Sequence, residues 1–157
     1  MLIGEREPVS VRIGGSMGKA SQRKLVVRSD LEQVPRVQRQ IMEEATANGF
    51  SEKAVFAIRL ALDEALCNAM KHGNHLDPQK RVTVTYSVDK DCIEIAICDE
   101  GAGFLPAEVP DPTQETHLSL PHGRGVMMMR KYMTHVCFND KGNCAYLIKT
   151  IGCNRPE

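Results

Sequence analysis

The sequence predicts an α+β fold, a two-layer sandwich in which a mixed, mostly antiparallel sheet carries helices on one face. Three observations predict it. Residues 81–88, "RVTVTYSV", and 92–99, "CIEIAICD", alternate apolar and polar side chains across a short "DK" turn, as an antiparallel hairpin does. A second hairpin closes the chain, with "HVCFN" (135–139) and "CAYLIKT" (144–150) joined by the turn "DKGN". Helical periodicity fills much of the remainder, yet strands and helices do not alternate one for one as a doubly wound parallel sheet requires.

The elements follow in order. Residues 1–22 are rich in glycine, serine and charge and read as a loose tail, with "VSVRI" as a short strand inside it. "KLVVR", Lys24 to Arg28, is a strand. Ser29 or Asp30 offers an N-cap for a helix running to about Asn48, where Gly49 supplies the stop. Pro35 falls in its first turns, where proline is tolerated. Ser51 and Glu52 open a second helix that runs to about His72 and ends at Gly73. Its apolar stripe is Val55, Ile58, Leu62, Ala65 and Ala69. After the first hairpin, residues 100–125 show little periodicity and many prolines and glycines. So long a connection in a compact domain suggests a lid over a ligand. "VMMMRKYM" (126–133) is then a short apolar helix.

The 157 residues suffice for one domain with a sizeable core, taken as residues 23–157. Twenty basic residues balance twenty acidic ones, which leaves no broad footprint for nucleic acid or anionic lipid. Aromatic residues make up 4% and tryptophan is missing, so stacking platforms for single strands are not expected. No apolar run reaches the length of a membrane span, and charge and glycine interrupt the N-terminus before a signal-peptide core can form. The reading is a cytoplasmic protein with no membrane or direct nucleic-acid partner. The six cysteines form no C-x-x-C pair, which argues against zinc and predicts free thiols behaving as small hydrophobes.

Three polar clusters stand out. In "ALDEALCNAMKHGN" (61–74), Glu64 and Asn68 lie one helical turn apart, beside the small residues Ala57 and Ala61. A solvated face would explain them. So would a carboxylate that orients an attacking hydroxyl next to an amide oxygen that ligates magnesium. In "DEGAGF" (99–104), Asp99 leaves a strand end and could accept a hydrogen bond from an exocyclic amine, with Gly101 and Gly103 letting the backbone approach a flat ring. The alternative is an ordinary turn. In "HGRGVMMM" (122–129), glycines directly before a helix would expose backbone N–H groups to an anion, or simply form a hinge before a core helix. The methionines read as core filling, and His117 and His122 as solvated loop residues.

Together, in this order and across a long loop, the three clusters resemble the N, G1 and G2 boxes of the Bergerat-type ATP-binding fold. The wording of "LALDEALCNAMKHGN", "DEGAGF" and "HGRGVMMMRKYMTHVCF" is similar to the anti-sigma-factor serine kinases of the SpoIIAB and RsbW type, over about residues 24 to 150. The resemblance implies Glu64 as catalytic base and Asn68 as magnesium ligand. It implies Asp99 as reader of the adenine amine and Gly101, Gly103, Gly123, Arg124 and Gly125 around the nucleotide. His72, Gly73 and Asn74 match the usual ending of the first box and border the pocket. It implies ATP with Mg2+, phosphorylation of a serine or threonine on an anti-anti-sigma (STAS-type) partner, sequestration of a sigma factor, and a homodimer in many members. The last hairpin departs from the pattern, since many relatives carry a threonine there that reaches toward the nucleotide and this chain reads "KGNCAYL".

A non-catalytic, ATP-binding partner-switching module is the alternative reading, and Glu64 weighs against it. A gyrase- or MutL-like ATPase would need a transducer domain. A sensor histidine kinase would need a preceding helix pair with a phospho-acceptor histidine. Neither is expected in this chain.

Overall fold

The computed structural model describes residues 22–103 and 121–151, so the expected strand at "VSVRI" and the loop at 104–120 lie outside the described residues. The elements run β1 (Arg23–Arg28), α1 (Val34–Ala47), α2 (Glu52–Cys67), β2 (Arg81–Val88), β3 (Cys92–Cys98), α3 (Pro121–Tyr132), β4 (His135–Phe138) and β5 (Cys144–Thr150). The strands form one five-stranded sheet in the order β1-β2-β3-β5-β4. Each described pairing is antiparallel, so the expected parallel component is not found among them.

Strict alternation decides which sheet face is buried. Val82, Val84, Tyr86, Ile93, Ile95, Ile97 and Leu147 are each at most 2% exposed, while their strand neighbours point to the other face. The inner face meets Ile41 of α1, Ile58, Leu62 and Leu66 of α2, and Met129 of α3 in one apolar cluster. Burial of a side chain of this size contributes about 1.5–3 kcal/mol relative to leaving it in water. Helix limits follow local chemistry. The Asp30 carboxylate accepts the Glu32 N–H at 3.0 Å, starting a 3-10 turn over Leu31–Gln33 that leads into α1. Gly49, at φ +92°, adopts the left-handed conformation just past its end. The Ser51 hydroxyl accepts the Ala54 N–H at 3.1 Å and caps α2.

Three further features differ from the sequence reading. The second helix reaches Gly73, but its last six residues, Asn68–Gly73, wind as a π-helix. Helix α3 begins at Pro121, not after the glycines, because proline suits a first helical position that lacks an N–H partner anyway. Cys98 and Cys144, expected as free thiols, form a disulfide. They stand directly opposite in the β3–β5 register with Cα atoms 4.0 Å apart. Closing a loop across a 46-residue separation is worth about 4 kcal/mol on the chain-entropy account. Among the described residues Cys67, Cys92 and Cys137 are free, and Cys153 lies outside them.

Tyr86 ties the sheet to α1. Its hydroxyl donates to the Glu44 carboxylate at 2.6 Å and accepts from the Gln40 amide at 3.0 Å, while Arg23 of β1 pairs with the same carboxylate at 3.1 Å. Burial, then the bond to Glu44, pushes the phenol up to about 12. The folded state therefore holds this proton more tightly than the unfolded chain does. The associated stability is complete below the ordinary value of 10.0 and is lost as pH rises toward 12. Denaturant titrations should show stability falling across that window, and Tyr86→Phe should flatten the fall. An unchanged alkaline slope in Tyr86→Phe would rule this out.

Candidate nucleotide site

The site is organised by the end of α2. Glu64 lies on the last α-helical turns and Asn68 opens the π segment, both half-buried. In a regular α-helix, five residues turn about 500°, which would put Gly73 about 140° around from Asn68. The wider i→i+5 winding returns Gly73 to nearly the same side. The bond from Asn74 N–H to Ala69 O, at 2.9 Å, records that winding. One helical edge thus presents Glu64 and Asn68 at one end and Gly73 at the other. His72 lies within the same segment and is exposed.

Gly73 faces Asp99. A Cβ on Gly73 would sit 2.7 Å from the Asp99 Oδ1, so any larger residue would press on this carboxylate. A Cβ on Gly101 would lie 2.6 Å from the Gly73 carbonyl carbon, which shows the backbone of the "DEGAGF" turn lying directly on the helix end. Gly103 has φ +80°, a conformation that favours glycine, and packs against the Lys141 backbone. The Asp99 Oδ1 accepts the Gly101 N–H at 2.8 Å. Burial raises the Asp99 carboxyl above its ordinary value, against the lowering effect of that N–H and of Lys141 and Lys80.

Asn74 stands behind this junction, not on its rim. It is fully buried: Oδ1 accepts the Glu100 N–H at 2.8 Å, and Nδ2 donates to Ser29 Oγ at 2.7 Å and Arg81 O at 3.0 Å. One amide therefore pins the helix end to the turn, to the start of β2 and to the end of β1. On the other side of Asp99 lies Asn143, a residue the sequence did not single out. Asp99 N–H donates to Asn143 O at 2.8 Å and the Asn143 amide donates to Asp99 O at 2.9 Å. The signal was present in the "KGNCAYL" departure, but its meaning depended on the β3–β5 register.

The third cluster arrives from α3. Gly123, Arg124 and Gly125 belong to the first turns of that helix, and Gly125 is buried. A Cβ on Gly125 would meet Glu64 Oε2 at 2.9 Å and Asn68 Nδ2 at 3.1 Å. The first turns of α3 therefore lie against the Glu64/Asn68 pair. Burial raises the Glu64 carboxyl, Asp63 adds to that, and Lys71 opposes it. The result is a carboxylate more basic than usual beside the positive end of a helix, an arrangement suited to taking a proton near an anion.

Sequence-expected residues thus gather in two places. Glu64, Asn68 and Gly125 meet at one end, and Gly73, Asp99 and Gly101 at the other, joined by the π segment. A surface groove between α1 and α2, lined by Met42, Thr46 and Val55 among others, contains none of them. Among the described residues no cluster of three or more His, Cys, Asp or Glu side chains could hold a metal, and no helix is long and apolar enough to cross a membrane.

Residues 27–149 match the family described as histidine kinase-like ATPase domain. A serine-protein kinase RsbW from Listeria innocua is 32% identical over 123 residues, covering 72% of this chain and 76% of its own. An anti-sigma F factor from Oceanobacillus iheyensis is 28% identical over 101 residues, covering 60% and 68%. An anti-sigma F factor from a Geobacillus strain is 29% identical over 101 residues with the same coverage.

Proposed function

The chain belongs to the histidine kinase-like ATPase domain family, and from that premise we propose that it is an ATP-dependent serine/threonine protein kinase acting as an anti-sigma regulatory factor. Its protein substrate is an anti-anti-sigma partner of the STAS type, and its regulatory target a sigma factor. The relatives named serine-protein kinase RsbW and anti-sigma F factor support this reading. The observation that carries the chemistry is Gly125, which leaves no room for a side chain between α3 and the Glu64/Asn68 pair.

In this reading adenine lies at the Asp99 end, its exocyclic amine donating to the Asp99 carboxylate. Gly73 leaves the Asp99 carboxylate unobstructed, while Gly101 and Gly103 let the turn pack on the Gly73 and Lys141 backbones. The phosphates reach the α3 end, where Gly123, Arg124 and Gly125 supply the first turns of the helix and exposed His72 borders the path. The donor set fits a hard cation, since an amide oxygen of Asn68 beside the Glu64 carboxylate suits magnesium completed by phosphates and water. When bound, the ion neutralises charge on the transferring phosphoryl group. Glu64 accepts the proton of the partner's serine or threonine hydroxyl. That oxygen forms a bond to the γ-phosphorus as the bond to the bridging oxygen breaks, and ADP leaves. A raised carboxyl is the better base here, because its affinity for the proton lies nearer the working pH.

Asp99→Asn tests the adenine end. ADP should raise the melting temperature of the wild type by mass action, and the variant should lose most of that shift because an amide presents a donor where an acceptor is needed. Because burial raises the Asp99 carboxyl, the wild-type response should also fade, as pH drops, while an ordinary aspartate is still ionised. A wild type with no ADP or ATP shift at any concentration sinks the assignment. The catalytic claim is tested by transfer of labelled γ-phosphate to the partner captured in the presence of ATP and Mg2+. Nucleotide binding without transfer to any captured partner would favour the non-catalytic switch.

A further inference from the structure

Cys98 and Cys144 sit immediately beside the two residues that hold the adenine end. Cys98 precedes Asp99, and Cys144 follows Asn143. The pairing explains their closeness. In an antiparallel ladder, pairs that exchange hydrogen bonds alternate with pairs that do not, and the latter bring Cα atoms nearest. Asp99 donates its N–H to Asn143 O, so 99/143 is a bonded rung and 98/144 the adjacent close one. The Asn143 side chain adds a second tie by donating to Asp99 O, and is itself held by the Asn139 amide at 2.7 Å. Beyond this point the β3 and β5 chains part, β3 into the glycine turn and β5 back through the turn at residues 139–143. The disulfide is therefore the last covalent tie between the strands before the Asp99 carboxylate. Ile97 beside it faces the core, so Cys98 faces the side of the sheet away from the described helices, and both cysteines are only half-buried. Small thiols can reach them there without entering the cleft.

We propose that the Cys98–Cys144 pair is a redox-controlled clamp on the adenine end of the cleft, acting through the positioning residue Asn143 on Asp99. Closed, it fixes the rung that orients the Asp99 carboxylate toward Gly73. Opened, it leaves that rung held by hydrogen bonds alone at a strand end, where fraying is easiest. The chemistry balances as thiol–disulfide exchange. A small thiolate attacks one sulfur and a mixed disulfide forms. A second small thiolate then attacks the sulfur of the small thiol in that adduct, leaving two protein thiols and one small disulfide. Reoxidation by a small disulfide such as oxidised glutathione runs the same steps backwards. The free thiols Cys67, Cys92 and Cys137 lie outside the scheme. Cys92 faces Thr150 and Cys137 faces Tyr146 across the sheet, so neither has a cysteine opposite it.

The effect on nucleotide rests on the function proposed above, while the effect on Asp99 does not, and the test separates them. Amide exchange at Asp99 should be measured by NMR in nucleotide-free wild type, oxidised with glutathione disulfide and reduced with dithiothreitol. Exchange should accelerate about tenfold or more on reduction and return on reoxidation, while core amides such as Ile95 keep their rates. The ADP Kd should rise about tenfold on reduction, the scale of one lost hydrogen bond. In transfer assays the KM for ATP should rise while kcat at saturation holds, a split that general loosening of the fold would not produce. The variant C98S/C144S should behave as reduced wild type in both buffers. Asn143→Ala, with the disulfide intact, should speed Asp99 exchange in the oxidised state. Equal Asp99 exchange in oxidised and reduced wild type overturns the clamp, as does a redox response that survives in C98S/C144S. Redox-dependent Asp99 exchange in a protein that binds no nucleotide in either state would keep the clamp and remove the nucleotide reading.

Discussion

Glu64→Gln should lower phosphoryl transfer to the partner about 10²- to 10⁴-fold, the usual worth of a general base, while ADP affinity stays within a few-fold. Glutamine keeps the shape and one acceptor oxygen, so the contact with Gly125 is retained and the change isolates proton acceptance. The carboxyl lies against the first turns of α3, not beside Asp99, so the adenine end should not register the substitution. Asn68→Ala should behave differently, lowering both magnesium-dependent binding and turnover. Single-turnover transfer at saturating ATP measures the first effect, and ADP titration with and without magnesium measures the second. Should Glu64→Gln transfer phosphate at the wild-type rate, Glu64 would not be the base.

Gly101→Ala and Gly125→Ala should fail in opposite ways, although each adds one methyl group. At Gly101 the new carbon would meet the Gly73 carbonyl carbon at 2.6 Å and the Asp99 carboxylate at 2.9 Å. Two backbones cannot rotate apart, so the turn must lift from the helix end. Overpacking of this kind costs about 1–3 kcal/mol, at roughly 2–4 °C of melting temperature per kcal/mol in a chain of this size. The ADP-induced thermal shift should vanish with it. At Gly125 the methyl would meet the ends of the Glu64 and Asn68 side chains, which can swing aside. Its melting temperature should stay near the wild type's, while phosphoryl transfer falls because the base has moved. Thermal denaturation with and without ADP, set beside transfer rates, reads both. A Gly125→Ala variant with normal transfer would show that Glu64 and Asn68 have slack around them.

The two hairpins were legible in the sequence because one sheet face is buried and the other is not. That asymmetry writes itself as alternation at 81–88 and 92–98, and no other element is so directly encoded. Ser51, Asp30 and Gly49 were legible as caps for a similar reason, since each satisfies a local backbone group. What stayed hidden depends on contacts between segments far apart in the chain. Cys98 and Cys144 look like ordinary thiols until the β3–β5 register sets them opposite each other. Asn143 reads as a turn residue until the same register brings it to Asp99. Gly73 was expected at the helix end, but the π winding that aims it at Asp99 leaves no mark in apolar periodicity, because Ala69 and Met70 are buried under either winding rule. The start of α3 was missed because glycines outweighed Pro121, which is itself a good first helical residue.

The segment Asn68–Gly73 behaves like a ruler with a fixed number of divisions. Removing one residue and restoring ordinary winding would put Gly73 four residues after Asn68, about 400° of turn and so still on nearly the same side. Adding one residue in ordinary winding would put it about 240° around, turning Gly73 away from Asp99 and pulling Asn74 from its three partners. The chemical cost of the lost residue itself would be small. Lys71 is exposed, and many side chains would serve in its place. Tolerance here is therefore lopsided. Exchanges at outward positions should pass almost unnoticed and a single deletion should keep the phase by returning the segment to ordinary winding, while a single-residue insertion should abolish function by turning Gly73 away from Asp99.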